Sequence, residues 1–369
     1  MKIVFIRSAG IYEDSRATKE LFAFLKKGYE IEVLGWNRDG QAKIKCEEVF
    51  SDYRDSIRFH FYNGRTGSKK LEKISCRLQW SRWIKQTLMN ISNVSIVHAC
   101  DFDTASAIFN YCKKQGIPYV YDIYDYYIAA HPVPRVLRRI IEQIDMSAIN
   151  SSALTIICTE ERKKQIEKAN PIRTIVIHNS PEVEYVSEED LEYDYVYCGA
   201  MGRGRLIEEI CDGYILHNEY KFAFAGNGIN QPYVKQLSKK YDNFVYFGAI
   251  PYSEVLKIES KSLIISAIYD PSIENHKLCA PNKFYEALAL AKPIIVCRGT
   301  GLDVVVNEKQ IGFVIDYSAD QFYKVIDYAV KHQDECIEMG NRARALYESS
   351  YRWSKMEKLL LKSYDEILK

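Results

Sequence analysis

Val196-Tyr197-Cys198-Gly199-Ala200-Met201-Gly202-Arg203-Gly204-Arg205-Leu206-Ile207-Glu208-Glu209-Ile210 runs from an apolar strand through a glycine-rich turn into a helix. Strand, tight turn and helix in that order make half of a βαβ unit. Such units build a mostly parallel sheet, so this stretch puts the chain in the α/β class.

The alternation repeats on both sides. Upstream, residues 1–6, 31–34, 95–98, 119–121, 155–158 and 174–177 read as strands, and 14–27 as a helix carrying Leu21, Phe22, Phe24 and Leu25. Downstream, the pattern restarts at 195–198 and continues at 222–225, 244–247, 263–266, 293–296 and 312–315. Between the halves lie Glu182, Glu184, Glu188, Glu189, Asp190 and Glu192, a segment suited to a linker. The expected architecture is two doubly wound, Rossmann-like domains, residues 1–185 and 186–350, facing each other across a cleft. Residues 351–369 read as a final helix packing back toward the first domain. Ligands of such sheets bind beyond the carboxyl ends of the strands.

A length of 369 residues suits two domains, and 47% apolar with 27% charged residues excludes a disordered chain. The net charge of +1 hides a split. Residues 1–180 hold 28 basic against 20 acidic side chains, a balance of +8; the remainder hold 22 against 29, or −7. The two halves are expected to face different surroundings, unless surface charge has merely drifted. Ten cysteines without a C-x-x-C pair argue against a zinc site and a disulfide framework. Cys100, Cys158, Cys198 and Cys297 end apolar runs and read as small core residues in a reducing cytosol. Residues 1–7 are too short and too soon interrupted by Arg7 for a signal peptide, and no stretch is long enough to span a bilayer. The expectation is a cytoplasmic protein, soluble or held at a membrane surface, with no nucleic-acid partner.

The chemistry gathers at Cys279-Ala280-Pro281-Asn282-Lys283-Phe284-Tyr285-Glu286-Ala287-Leu288-Ala289-Leu290-Ala291-Lys292-Pro293. Pro281 suits the first turn of a helix, where its missing N–H costs nothing. The unpaired N–H groups of that turn form an anion site fit for a diphosphate. Glu286, one and a half turns in, can reach ribose hydroxyls whose phosphates sit at the helix start; alone, it would equally be a surface Glu favoured by the helix dipole. The earlier turn spaces its glycines G-x-x-G-x-G, not as a dinucleotide fingerprint, and no P-loop occurs. Arg203 and Arg205 can neutralise a leaving diphosphate; one of them can instead cap a surface turn, Arg203 sooner than Arg205. Ala225-Gly226-Asn227-Gly228 adds another turn at a strand end.

Taken together, these motifs resemble the C-terminal domain of retaining glycosyltransferases of family 4, which have the GT-B fold. The family's order is strand-Gly, basic residue, helix, an Ala-Gly-x-Gly turn, Phe-x-Gly (here Phe247-Gly248-Ala249) and an acidic helix before a Pro. Pro281-Asn282-Lys283-Phe284-Tyr285-Glu286 is similar to the Pro-Asn-Lys-x-x-Glu variant of polysaccharide and glycolipid assembly enzymes. The family's first acidic residue is read as replaced by Cys279, and its usual Gly before Lys-Pro by Ala291. Upstream, Gly10 with 14–20 resembles the family's loop-to-helix junction, including Arg16, and His98-Ala99-Cys100-Asp101 its His-x-x-Asp strand end. Tyr121-Asp122-Ile123-Tyr124-Asp125 resembles its Tyr-Asp-x-His-Glu stretch, with Tyr124 in place of the His. Asp122 and Asp125 can orient or deprotonate an acceptor hydroxyl, or simply cap a strand end; His98 reads as structural.

The resemblance implies a glycosyltransferase using a nucleotide-sugar donor, with retention of configuration and without metal or other cofactor. Gly10, Gly199, Arg203, Arg205, Gly226, Asn227, Pro281, Asn282, Lys283 and Glu286 would hold the donor. Arg205 and Lys283 would also act on the leaving group, beside Asp122 and Asp125. Arg16, Asp101 and Tyr124 fall on the acceptor side, with a saccharide or lipid-linked saccharide as acceptor. Residues 69–90 interleave Lys69, Lys70, Lys73, Arg77, Arg82 and Lys85 with Trp80, Trp83 and aliphatic residues. That stretch, with Arg135, Arg138 and Arg139, reads as an anionic-membrane face, or else as a solvated helix with buried Trp. The alternatives are a GT-B nucleotide-sugar epimerase and a non-catalytic binding subunit.

Overall fold

The computed structural model describes residues 1–12, 14–67, 69–131, 133–184 and 191–369, without the side chains of 70 and 71. The join expected near 185, residues 188–190 of the acidic segment and the Lys70 side chain lie outside the described residues. The chain forms two compact units, Met1–His178 with Met356–Lys369, and Asn179–Lys355.

Each unit is built on a parallel sheet. The first holds β1 (Lys2–Arg7), β2 (Glu30–Trp36), β3 (Ile57–Tyr62), β4 (Ile96–Cys100), β5 (Tyr119–Ile123), β6 (Leu154–Ile157) and β7 (Thr174–Val176), ordered β3-β2-β1-β4-β5-β6-β7. The second holds β8 (Tyr193–Cys198), β9 (Phe222–Ala225), β10 (Phe244–Tyr246), β11 (Ser262–Ala267), β12 (Ile294–Cys297) and β13 (Gly312–Ile315), ordered β10-β9-β8-β11-β12-β13. The central strands are largely apolar and buried because helices cover both faces, although β4 and β5 carry the buried His98 and Asp122. This is the GT-B pair of doubly wound domains. Strand order reverses between β1 and β4, and again between β8 and β11. At such a switch the flanking loops diverge and leave a crevice beyond the strand ends.

β3 is the strand that periodicity missed. Its Arg58 and His60 interrupt the apolar run because it is an edge strand, only partly covered. In helix Lys70–Met89 the tryptophans follow the second of the two readings, a helix with buried Trp. Trp80 is 0% exposed and stacks on Trp36 and Trp83, with Tyr62 beside both, so the tryptophans join the core. The final helix, Trp353–Ile367, supplies the first unit with Tyr364, whose hydroxyl lies 2.6 Å from His98 Nδ1.

Candidate nucleotide and acceptor sites

In the second unit, β8 and β9 end in turns that press backbone on backbone. Gly199 N–H donates to Ala225 O (2.8 Å), and Gly226 N–H to Gly248 O (2.7 Å). Gly226 has φ +123°, and a β-carbon there would strike the Gly199 carbonyl. Gly199, at φ +146°, leaves the space that the Lys283 ammonium fills. Lys283 extends from helix Asn282–Ala289, and its Nζ lies 4.7 Å from the Tyr197 ring centroid. Pro281 precedes that helix rather than opening it, and Asn282 Oδ1 accepts from Asn179 Nδ2 at 2.7 Å. Glu286 is 3% exposed on the same helix. Tyr252 is 41% exposed, yet desolvation of its hydroxyl, with the Glu286 carboxylate adding, holds its pKa well above the usual value.

Arg205 stacks its guanidinium 3.8 Å from the Tyr269 ring centroid, beyond the end of β11. Its Nη1 lies 3.1 Å from Nε2 of His276, whose Nδ1 lies 3.1 Å from Asp270 O. An arginine only donates, so Nε2 accepts, Nδ1 carries the proton and the imidazole is neutral. Burial, with Arg205 adding, lowers the His276 pKa. The positive charges of Lys283 and Arg205 both act on Tyr269, near the β8/β11 switch. Arg203 and Asn227 are exposed nearby. A cavity of about 810 Å³ opens on Arg203 and Arg205 but is not walled by Lys283 or Glu286. Sequence reading passed over Tyr252, Tyr269 and His276, because an aromatic or histidine outside a motif carries no local signal. It also misplaced the family's first acidic position. The resembled family sets seven residues between its two acidic positions, and counting back from Glu286 puts the first at Leu278, not Cys279.

In the first unit, two expected site residues are sealed from any ligand. Asp122 is 0% and Arg16 1% exposed. Arg16 donates to Asp122 Oδ1 (2.5 Å), Glu20 Oε1 (3.0 Å) and Ile177 O (2.8 Å). A group so enclosed cannot touch an acceptor, which corrects Asp122 as a catalytic residue and Arg16 as an acceptor contact. His98 Nε2 lies 3.5 Å from both Glu20 Oε2 and Asp122 Oδ2. Burial, with Asp122 adding, raises Glu20 to about 7, and burial lowers His98 to about 4.

Tyr124 sits over this network, its ring 4.0 Å from the Arg7 guanidinium and 4.5 Å from that of Arg16. The reachable carboxylates are Asp125, exposed and 3.2 Å from Arg162, and Asp101. Asp101 adopts φ +66° at the start of helix Phe102–Gln115 and accepts from the Tyr124 (3.0 Å) and Asp125 (3.2 Å) amides. It also pairs with Arg7 at 3.3 Å, yet burial raises its pKa to about 7. Strained backbone of this kind collects at functional sites. Gly10 lies in the loop between β1 and helix Ser15–Lys26. On the outer surface Lys69 and Lys73 are exposed, while Arg77 binds the Tyr127 hydroxyl. Helix Arg135–Ser151 exposes Val136, Leu137, Ile140 and Ile144 beside Arg135 and Arg139.

Residues 205–346 match the family model described as Glycosyl transferases group 1. No curated protein matches the sequence. Solved structures with the same fold include Anabaena HepE in complex with UDP, at 13% identity and TM-score 0.70 over 99% of this chain and 100% of that one. Sucrose-phosphate synthase from Thermosynechococcus elongatus is similar at 11% identity and TM-score 0.74, over 100% and 99%. A variant of S. aureus TarM in complex with Fondaparinux, alpha-GlcNAc-glycerol and UDP is similar at 11% and 0.67, over 100% and 99%. The chain thus has the GT-B fold and carries a group 1 glycosyl transferase domain over 205–346. It is a glycosyltransferase.

Proposed function

We propose that the protein transfers a sugar from a nucleotide-sugar donor to a saccharide or lipid-linked saccharide, with retention of configuration, as a family 4 enzyme of cell-surface polysaccharide or glycolipid assembly. The observation that carries this reading is that Lys283 and Glu286 stand largely buried on one short helix, Lys283 reaching Gly199 at the end of β8, while Arg205 stacks on Tyr269 beyond β11. The diphosphate lies against Lys283, Arg205 and the amides that open helix Asn282–Ala289, and Glu286 accepts from the ribose. As the glycosidic bond breaks, charge grows on the leaving phosphate, where the two cations and the helix dipole stabilise it. They supply the positive charge that a divalent ion supplies elsewhere, which supports a metal-independent reaction. Attack comes from the face the diphosphate leaves, its oxygen taking the acceptor proton. Asp101 and Asp125 orient the acceptor.

The chain works at the cytoplasmic face of an anionic membrane. Among the described residues, no helix is long and apolar enough to cross a membrane. The apolar stripe Val136, Ile140 and Ile144, flanked by arginines, replaces the buried Trp80 as the surface anchor. The relatives solved with UDP make it the first nucleotide to try. Thermal shift with UDP, GDP, ADP and CMP tests the site; stabilisation by none of them refutes it. Nucleotide binding without donor turnover in the presence of sugar acceptors would favour a binding subunit, and donor isomerisation an epimerase.

A further inference from the structure

Helix Tyr252–Ser260 buries Glu259 completely. Among the described residues neither carboxylate oxygen of Glu259 has a hydrogen-bond partner. Glu286 and Lys283 on helix Asn282–Ala289 face it electrostatically. Cys198, at the end of β8, and Tyr252, on its own helix, also feel its charge. β11, the other strand packed against this helix, carries no ionisable side chain.

We propose that Glu259 is a positioning residue of the nucleotide site, a buried carboxylic acid that sets the charge Lys283 presents to the diphosphate. An ionised carboxylate without a partner is costly in a dry interior, so the group stays neutral by keeping its proton. Burial, reinforced by Glu286, accordingly holds Glu259 well above the ordinary carboxylate range. The charges then balance: the Lys283 ammonium offsets the Glu286 carboxylate, and it remains available to the phosphates. Loss of the Glu259 proton would leave two carboxylates against one ammonium, a net negative charge behind an anionic ligand. Nucleotide affinity should fall roughly tenfold or more at that point. The inference rests on the nucleotide site proposed above.

The test is calorimetric binding of UDP, GDP and ADP from pH 6 to about pH 10, on wild type, Glu259→Gln and the apolar Glu259→Met. Wild-type affinity should decline toward alkaline pH, while both variants match wild type at pH 6 and stay flat. Superimposable curves would overturn the proposal. Thermal unfolding separates its failure from that of the site reading. A raised carboxyl pKa gives stability that is full below the unfolded value and lost as pH rises toward the folded one. The melting temperature of Glu259→Gln should therefore gain on wild type as pH rises, whether or not a nucleotide binds. A gap independent of pH would overturn the neutral acid; binding by no nucleotide alongside a growing gap would overturn only the site.

Discussion

Replacing Glu286 by Ala removes the carboxylate taken to hold the ribose and leaves the helix start and its cations in place. Two hydroxyls lose an ionised acceptor in a site where Glu286 is 3% exposed. The loss should be about 1–3 kcal/mol, or roughly 5- to 150-fold in Kd. Glu286→Gln keeps one acceptor oxygen without the charge and should fall between the two. The Ala variant also removes a buried negative charge that acts on Tyr252 and Lys283, so calorimetry should be run well below the melting temperature on samples with native circular dichroism. Ribose 5-phosphate gives the sharper comparison, since it lacks the base. A nucleotide Kd within twofold of wild type for Glu286→Ala would refute the ribose assignment.

Arg205→Ala should lower kcat roughly 100-fold while changing KM little, because charge develops on the leaving group only in the transition state; steady-state kinetics with near-normal kcat would reduce Arg205 to a surface residue. In the first unit, Glu20 and His98 oppose each other. Glu20, raised to about 7, contributes stability present below its unfolded pKa and lost as pH rises to 7. His98, lowered to about 4, contributes stability present above its unfolded pKa and lost as pH falls to 4. Relative to wild type, Glu20→Gln should lose stability on acidification and His98→Gln on neutralisation, each by up to about 1.4 kcal/mol per pH unit in urea titrations; equal slopes in both variants would dismiss the coupling. Changing Arg135, Arg138 and Arg139 to Glu should abolish co-sedimentation with anionic vesicles, since each cation contributes about 1 kcal/mol, and leave donor turnover intact. Equal, salt-insensitive binding to neutral vesicles would dismiss the electrostatic part.

The alternation of apolar runs with amphipathic segments made both sheets legible, because a strand buried on both faces writes its position into consecutive residues. β3 escaped because an edge strand needs only partial cover. The donor side was legible where backbone demanded it. Gly199 and Gly226 are fixed by close approach of other atoms, and Lys283 and Glu286 by helical spacing. Ala291 takes the place of a glycine and still adopts φ +54°, so the backbone of that turn outlasts the residue that normally permits it. The acceptor side was less legible. Asp122 and Asp125 stand three positions apart in sequence, yet one is sealed and the other exposed. Only the packing of Arg16 against β5 distinguishes them. Tyr269, His276 and Glu259 enter through tertiary contact alone.

The central claim is nucleotide-sugar-dependent glycosyl transfer, and release of the donor's nucleotide measures it most directly. Purified protein would be incubated with UDP-, GDP-, ADP- and CMP-linked sugars, with and without an anionic-lipid extract as acceptor, in EDTA. The account predicts slow release of one nucleotide, accelerated by the acceptor, insensitive to EDTA and abolished in Lys283→Ala. No release from any donor with acceptor present, or release unchanged in Lys283→Ala, would contradict it.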